Sequence, residues 1–95
     1  MYIGVDLGST NLKAALYDAD LNCIAQKGAP VEYIRQGEFI EFNAKKYLDS
    51  LVAILGELMR EHPCQVKQIA LTGQAESLIC LDAEGTPVHN AISWM

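Results

Sequence analysis

Residues 3–13 read IGVDLGSTNLK and hold the densest chemistry in the chain. A short apolar run carries Asp6 to its end, and Gly8, Ser9, Thr10 and Asn11 form a tight polar turn before a second apolar run begins. Backbone N–H groups and hydroxyls gathered in such a turn can surround a phosphate. Lys13, just inside the second run, adds a positive charge. The same residues also suit an ordinary β-hairpin, because Asp and Ser hydrogen-bond local backbone wherever a chain reverses. Later segments have to decide between the two readings.

Two later stretches carry polar or aromatic groups in suggestive places. Thr72, Gly73, Gln74, Ala75 and Glu76 interrupt an apolar run at its end, and Trp94 stands in an apolar tail. Taken alone, Glu76 is an exposed loop carboxylate and Trp94 a core aromatic.

Composition narrows the partners. Ninety-five residues, 51% hydrophobic and 20% charged, describe a globular domain or a piece of one. A formal net charge of −5, from twelve acidic against seven basic residues, argues against a nucleic-acid backbone or an anionic membrane as partner. The chain opens directly into a strand with neither a basic leader nor a long apolar run, so a cytoplasmic protein is expected. Cys23, Cys64 and Cys80 are odd in number and lie in apolar contexts, which predicts buried reduced thiols. None has metal-ligand spacing with His62 or His89, so zinc is not expected; both histidines are expected to be exposed and uninvolved.

The elements that must position these residues follow from periodicity. Alternation over 2–7 predicts a strand with Ile3, Val5 and Leu7 on one face and Asp6 on the other. The run 12–17 predicts a second, with Leu12, Ala14 and Leu16 opposed to Lys13, Ala15 and Tyr17. The small residues Gly4, Ala14 and Ala15 leave room for close approach. A turn over 18–22 leads to a third strand over 23–31, completing an antiparallel meander. Gln36 and Gly37 mark a further turn, with a short extended piece over 38–42.

Asn43 is a predicted N-cap for a helix over 44–61, ended by His62 and Pro63. Its apolar stripe is Tyr47, Leu48, Leu51, Val52, Ile54, Leu55, Leu58 and Met59, expected to cover one face of the meander. A strand over 66–71 then lies parallel to the first through a right-handed crossover. A hairpin follows, with arms over 77–82 and from Thr86, in which Pro87 confines its arm to an edge. The apolar tail over 90–95 must lie on or pair with something.

This α/β order resembles the start of the ribonuclease H-like lobe of the actin/hexokinase type: a three-stranded antiparallel meander, a crossover helix, a parallel strand, then a β-hairpin. Four segments make it similar to the N-terminal part of the FGGY carbohydrate kinases, the family of glycerol kinases and xylulokinases: IGVDLGSTNLK at 3–13, GEFIE at 37–41, LTGQAES at 71–77 and NAISW at 90–94. The resemblance covers nearly the whole chain. It implies ATP and Mg2+ as cofactors, Asp6 placing the metal near the transferred phosphoryl group, and Gly8, Ser9, Thr10 and Lys13 beside the ATP phosphates.

It also implies that Gln74, Ala75 and Glu76 line the site for a small sugar or polyol, where glycerol kinases have Gln-Arg-Glu and xylulokinases Gln-Met-His. Glu76 follows the glycerol-kinase solution, since a carboxylate accepts from two hydroxyls at once. Ala75 departs from both patterns and leaves the substrate open. Trp94 matches a tryptophan that shapes the pocket. The general base and the adenine pocket of the family lie beyond residue 95, so residues 1–95 are expected to be an incomplete first lobe. The strand over 66–71 then presents an unpaired edge, and either self-association into a homo-oligomer or coverage by the tail is expected. Two other readings remain: a non-catalytic interaction module that keeps the fold, inactive as the isolated segment, and a chaperone-type ATPase, in which the GQAE and NAISW segments have no role.

Overall fold

A computed structural model describes residues 1–74 and 77–93; Ala75, Glu76 and Trp94 lie outside the described residues. Among the described residues eight elements follow one another: β1 (Tyr2–Leu7), β2 (Asn11–Tyr17), β3 (Cys23–Pro30), β4 (Ile34–Gln36), β5 (Phe39–Phe42), α1 (Ala44–Glu61), β6 (Gln68–Gly73) and β7 (Ala91–Ile92). Four strands form one sheet in the order β3-β2-β1-β6, antiparallel within the meander and parallel between β1 and β6. The other three form a small antiparallel sheet in the order β4-β5-β7.

α1 begins where the side chain of Asn43 accepts the Lys46 N–H at 3.0 Å, which satisfies one of the unpaired donors of its first turn. It ends with the His62 N–H donating to Leu58 O at 3.0 Å, before Pro63. The helix packs over β2 and β3. Ile3, Val5, Leu12, Ala14 and Leu16 from the sheet meet Ile54 and Leu58 in one core, so the period-2 pattern of the strands and the helical stripe are buried against each other. Lys27 of β3 pins the last turn of the helix through Glu61 at 2.7 Å.

The stripe is narrower than its spacing implies. Leu48 and Val52 are more than half exposed, because they face the flank of the helix beyond β2 and β3. Ala14 lies under the helix, whereas Gly4 and Ala15 lie on the open face. All three cysteines are exposed, contrary to their apolar surroundings in sequence: Cys23 starts the edge strand β3, Cys64 follows the helix, and Cys80 sits on an arm of the second hairpin. His89 is exposed as expected, and His62 is half-buried at the helix terminus.

The second hairpin exists as two arms rather than a regular ladder. Asp82 N–H donates to Thr86 O at 2.9 Å and Val88 N–H to Cys80 O at 3.0 Å, on either side of the Leu81–Pro87 bridge. Pro87 therefore occupies a position where no N–H is required. Its turn repeats the device of the β2–β3 turn. Asp18 and Asp82 each accept the N–H groups two and four residues on, all at 2.9 Å, and Leu21 and Gly85 stand at positive φ three residues on.

Among the described residues the tail does not pair with β6. Ala91 and Ile92 pair with Phe42 and Glu41 of β5 instead, and a Leu78–Ile92 bridge ties the hairpin to them. β6 stays an edge strand, as the sequence implied. Among the described residues no helix is long and apolar enough to cross a membrane.

Candidate functional site

The polar face of the main sheet gathers the charged candidates in one row. Asp6 is paired in register with Lys13 on β2 and with Thr72 on β6, and Lys13 with Gly28 on β3. Residues paired across strands share a face. Asp6, Lys13 and Thr72 thus stand abreast and exposed near the end of β1, beside the Gly8–Asn11 turn. The next row is made of Gly4, Ala15 and Ala70, and Tyr17 lies over Gly4. These small side chains leave a depression of about 340 Å³, lined by Asp6, Lys13, Ala15, Tyr17, Gln26 and Thr72 among others.

The turn itself is tight and held from behind. A Cβ on Gly8 would lie 2.2 Å from Asn11 O, so only glycine fits there. Gly8 O accepts the Tyr47 hydroxyl at 2.9 Å and the Gln74 side-chain amide at 3.4 Å. Ser9 O accepts the Tyr33 hydroxyl, and Thr10 O accepts the Val31 N–H at 3.0 Å. A trans peptide aims its N–H opposite its carbonyl. The N–H groups of Ser9 and Thr10, joined to the carbonyls of Gly8 and Ser9, are therefore turned away from these clamps.

Gln74 reaches the turn because the ends of β1 and β6 nearly touch. A Cβ on Gly73 would come within 2.8 Å of Leu7 Cβ, and with glycine there the Gln74 N–H donates to Leu7 O at 3.0 Å. Ser77 Oγ donates to Gln74 Oε1 at 2.9 Å, which orients the amide so that its N–H faces Gly8. Of the sugar-side candidates, Gln74 is brought against the phosphate-type turn; Ala75, Glu76 and Trp94 belong to the undescribed residues.

Three residues escaped the sequence reading. Tyr33 and Tyr47 both pack on Phe42, with ring centroids 6.1 and 5.3 Å away. Burial raises the pKa of both hydroxyls, which keeps them protonated as donors. By spacing Tyr47 is one more member of the apolar stripe, and only its position in the first turn of α1 hints at a role at the sheet end. The third is Glu41, a buried carboxylate in β5 that accepts the Asn90 side-chain amide at 3.3 Å and lies 4.0 Å from the His89 ring. Its signal was an acid in a strand beside Phe42, within the 37–41 segment.

A mixed sheet of this order, with a crossover helix on one face and a polar turn between its first two strands, defines a ribonuclease H-like lobe of the actin/hexokinase type. Solved sugar kinases share it: a gluconate kinase from Lactobacillus acidophilus (26% identical, TM-score 0.91, covering 98% of this chain and 19% of that one) and a xylulose kinase from the same organism (26%, 0.90, 98% and 19%). At 22% identity, a glycerol kinase from Plasmodium falciparum solved with ADP shares the fold over 99% of this chain and 20% of its own, with a TM-score of 0.80. The chain belongs to the FGGY family of carbohydrate kinases, matching the N-terminal domain of that family over residues 1–95. Curated relatives include glycerol kinases from Thermococcus kodakarensis, 30% identical over 97 residues, and from Natranaerobius thermophilus, 33% identical over 98 residues. Each alignment takes in 97% of this chain, which spans about a fifth of the length of those relatives (19% and 20%).

Proposed function

We propose that this chain is the phosphate-handling part of a cytoplasmic, ATP-dependent kinase that phosphorylates a hydroxyl of a small sugar or polyol. The observation that carries the reading is the row of Asp6, Lys13 and Thr72 beside a turn whose Ser9 and Thr10 N–H groups face away from their clamps. Phosphoryl transfer depends on positioning and charge neutralisation more than on covalent chemistry, and these residue types supply both.

Asp6 would hold Mg2+. The donor set fits that ion: Asp6 offers an exposed carboxylate beside the turn, and Mg2+ is usually held by one or two carboxylates, with water and phosphate oxygens completing its shell. Bound Mg2+ and ATP supply the transferable phosphoryl group and offset its charge. Gly8, Ser9, Thr10 and Lys13 hold the phosphates, the first by permitting close approach, the next two through N–H and hydroxyl donors, and Lys13 through its ammonium. Gln74, Ala75, Glu76 and Trp94 line the sugar side, with Glu76 accepting from two hydroxyls. The base that takes the hydroxyl proton and the adenine pocket are assigned to the part of the relatives' length that this chain does not span.

Glycerol, xylulose and gluconate form the first panel, since relatives and structural neighbours are kinases named for them. The full reading frame, assayed for ADP release with ATP and each compound, is expected to turn over at least one. Glu76→Ala is then expected to raise the KM for that compound more than it lowers kcat. No release above background with any compound of the panel overturns the reading, and an unchanged KM removes Glu76 from the site.

A further inference from the structure

We propose that Tyr33 and Tyr47 are a pair of positioning residues, each fixing one carbonyl of the Gly8–Asn11 turn and so aiming one N–H donor at the ligand. The assignment rests on the phosphate-holding role of the turn given above. Tyr47 donates to Gly8 O, and that peptide carries the Ser9 N–H; Tyr33 donates to Ser9 O, and that peptide carries the Thr10 N–H. Each tyrosine therefore governs a different donor.

The two side chains reach the turn from separate elements. Tyr47 is placed by the start of α1, where the Asn43 cap also accepts the Tyr47 N–H through its carbonyl at 3.0 Å. Tyr33 comes from the connection between β3 and β4. Phe42 supports both rings, so neither hydroxyl can swing without disturbing a shared aromatic contact.

Both tyrosines also touch the segments assigned to the sugar. Tyr47 and the Gln74 amide share the Gly8 carbonyl, and the Ser93 side chain, one residue before Trp94 in sequence, lies close enough to the Tyr33 hydroxyl to influence it. Gln74 thus ties the loop after β6 to the same carbonyl that Tyr47 holds, and Ser93 brings the tail beside the hydroxyl that holds Ser9 O. Displacement of either sugar-side segment is transmitted to a different N–H.

The test uses Tyr33→Phe and Tyr47→Phe, which delete only the hydroxyls and keep the rings on Phe42. In the full reading frame, 15N order parameters of Ser9 and Thr10 are expected to fall from the rigid value of about 0.85 towards the flexible range below about 0.6. The larger loss is expected at Ser9 in Tyr47→Phe and at Thr10 in Tyr33→Phe, with the amides of Ile54 and Leu58 unchanged as the control for folding. In the full reading frame, each variant is expected to bind ADP roughly 3- to 10-fold more weakly by calorimetry, as follows from losing one hydrogen bond.

Order parameters that do not move, or that fall equally at both amides in both variants, overturn the proposal. So does a loss of order with unchanged ADP affinity. A wild-type protein that binds no ADP contradicts the ATP reading itself, and the order parameters then decide alone whether the tyrosines fix the turn.

Discussion

β1 and β6 lie side by side in parallel register, Ile3 against Ile69, Gly4 against Ala70 and Val5 against Leu71, and are almost equally apolar. Ile3 and Val5 are buried, at 3% and 2% exposure, whereas Ile69 and Leu71 remain 50% and 66% exposed. The cause lies outside both strands: α1 packs over β2 and β3 and roofs β1, and its span stops short of β6. Burial here is decided by what covers a strand. The proposed phosphate turn lies where the two strands end together, since Gly8 follows one and Gln74 the other, and the contact between them needs both ends in place.

The sharpest way to break this contrast is to cut into each side of it. Leu58→Ala, under the fully buried side chain that seals the roof, is expected to destabilise the chain by about 2 to 5 kcal/mol in urea unfolding. Leu71→Ala, at the matching depth of the bare strand, is expected to change stability by no more than about 0.5 kcal/mol. Equal losses at the two sites would mean that β6 is covered after all.

A smaller effect tests the roof's anchor. Asn43→Ala removes the side chain that caps α1 and is expected to cost about 1 kcal/mol. Because the cap sets where Tyr47 falls, the same variant is also expected to disturb the Ser9 amide. Loss of stability with an unmoved Ser9 amide would separate the helix start from the turn.

The far end of the roof carries a modest pH dependence. The hydrogen bond from Lys27 holds the Glu61 pKa below that of a free glutamate, so the pair's stabilisation is present above the unfolded-state pKa and fades as pH falls through the lowered folded-state value. Glu61→Gln is expected to flatten the acid limb of the stability profile; an identical limb would show that the pair contributes nothing. At the bare side, β6 is an edge strand among the described residues, carrying the exposed Ile69 and Leu71, and light scattering is expected to show self-association of the 95-residue chain that Leu71→Lys reduces. A monodisperse monomer at high concentration would contradict that expectation.

Much of this was legible in the sequence because the relevant forces are local. Alternation fixed β1 and β2 and put Asp6 and Lys13 on one face, and the Asn43 cap with Pro63 bounded α1 at both ends. What escaped depends on distance along the chain. The exposure of Leu48 and Val52 follows from which strands the helix covers, and that of the three cysteines from where each lies in the assembled fold; no spacing encodes either. Tyr47 lies 39 residues from Gly8, and Tyr33 lies 24 from Ser9, so their hydroxyls could be matched to those carbonyls only once the strands were assembled. The pairing of Ala91 and Ile92 with β5 escaped for the same reason.

The most direct test of the central claim is the activity of Asp6→Ala in the full reading frame, with circular dichroism and thermal unfolding as controls. Asp6 is exposed and roofs no core residue, so the fold is expected to be unchanged while ATP-dependent phosphorylation of the sugar or polyol falls to background. Wild-type turnover in a folded Asp6→Ala protein would contradict the account.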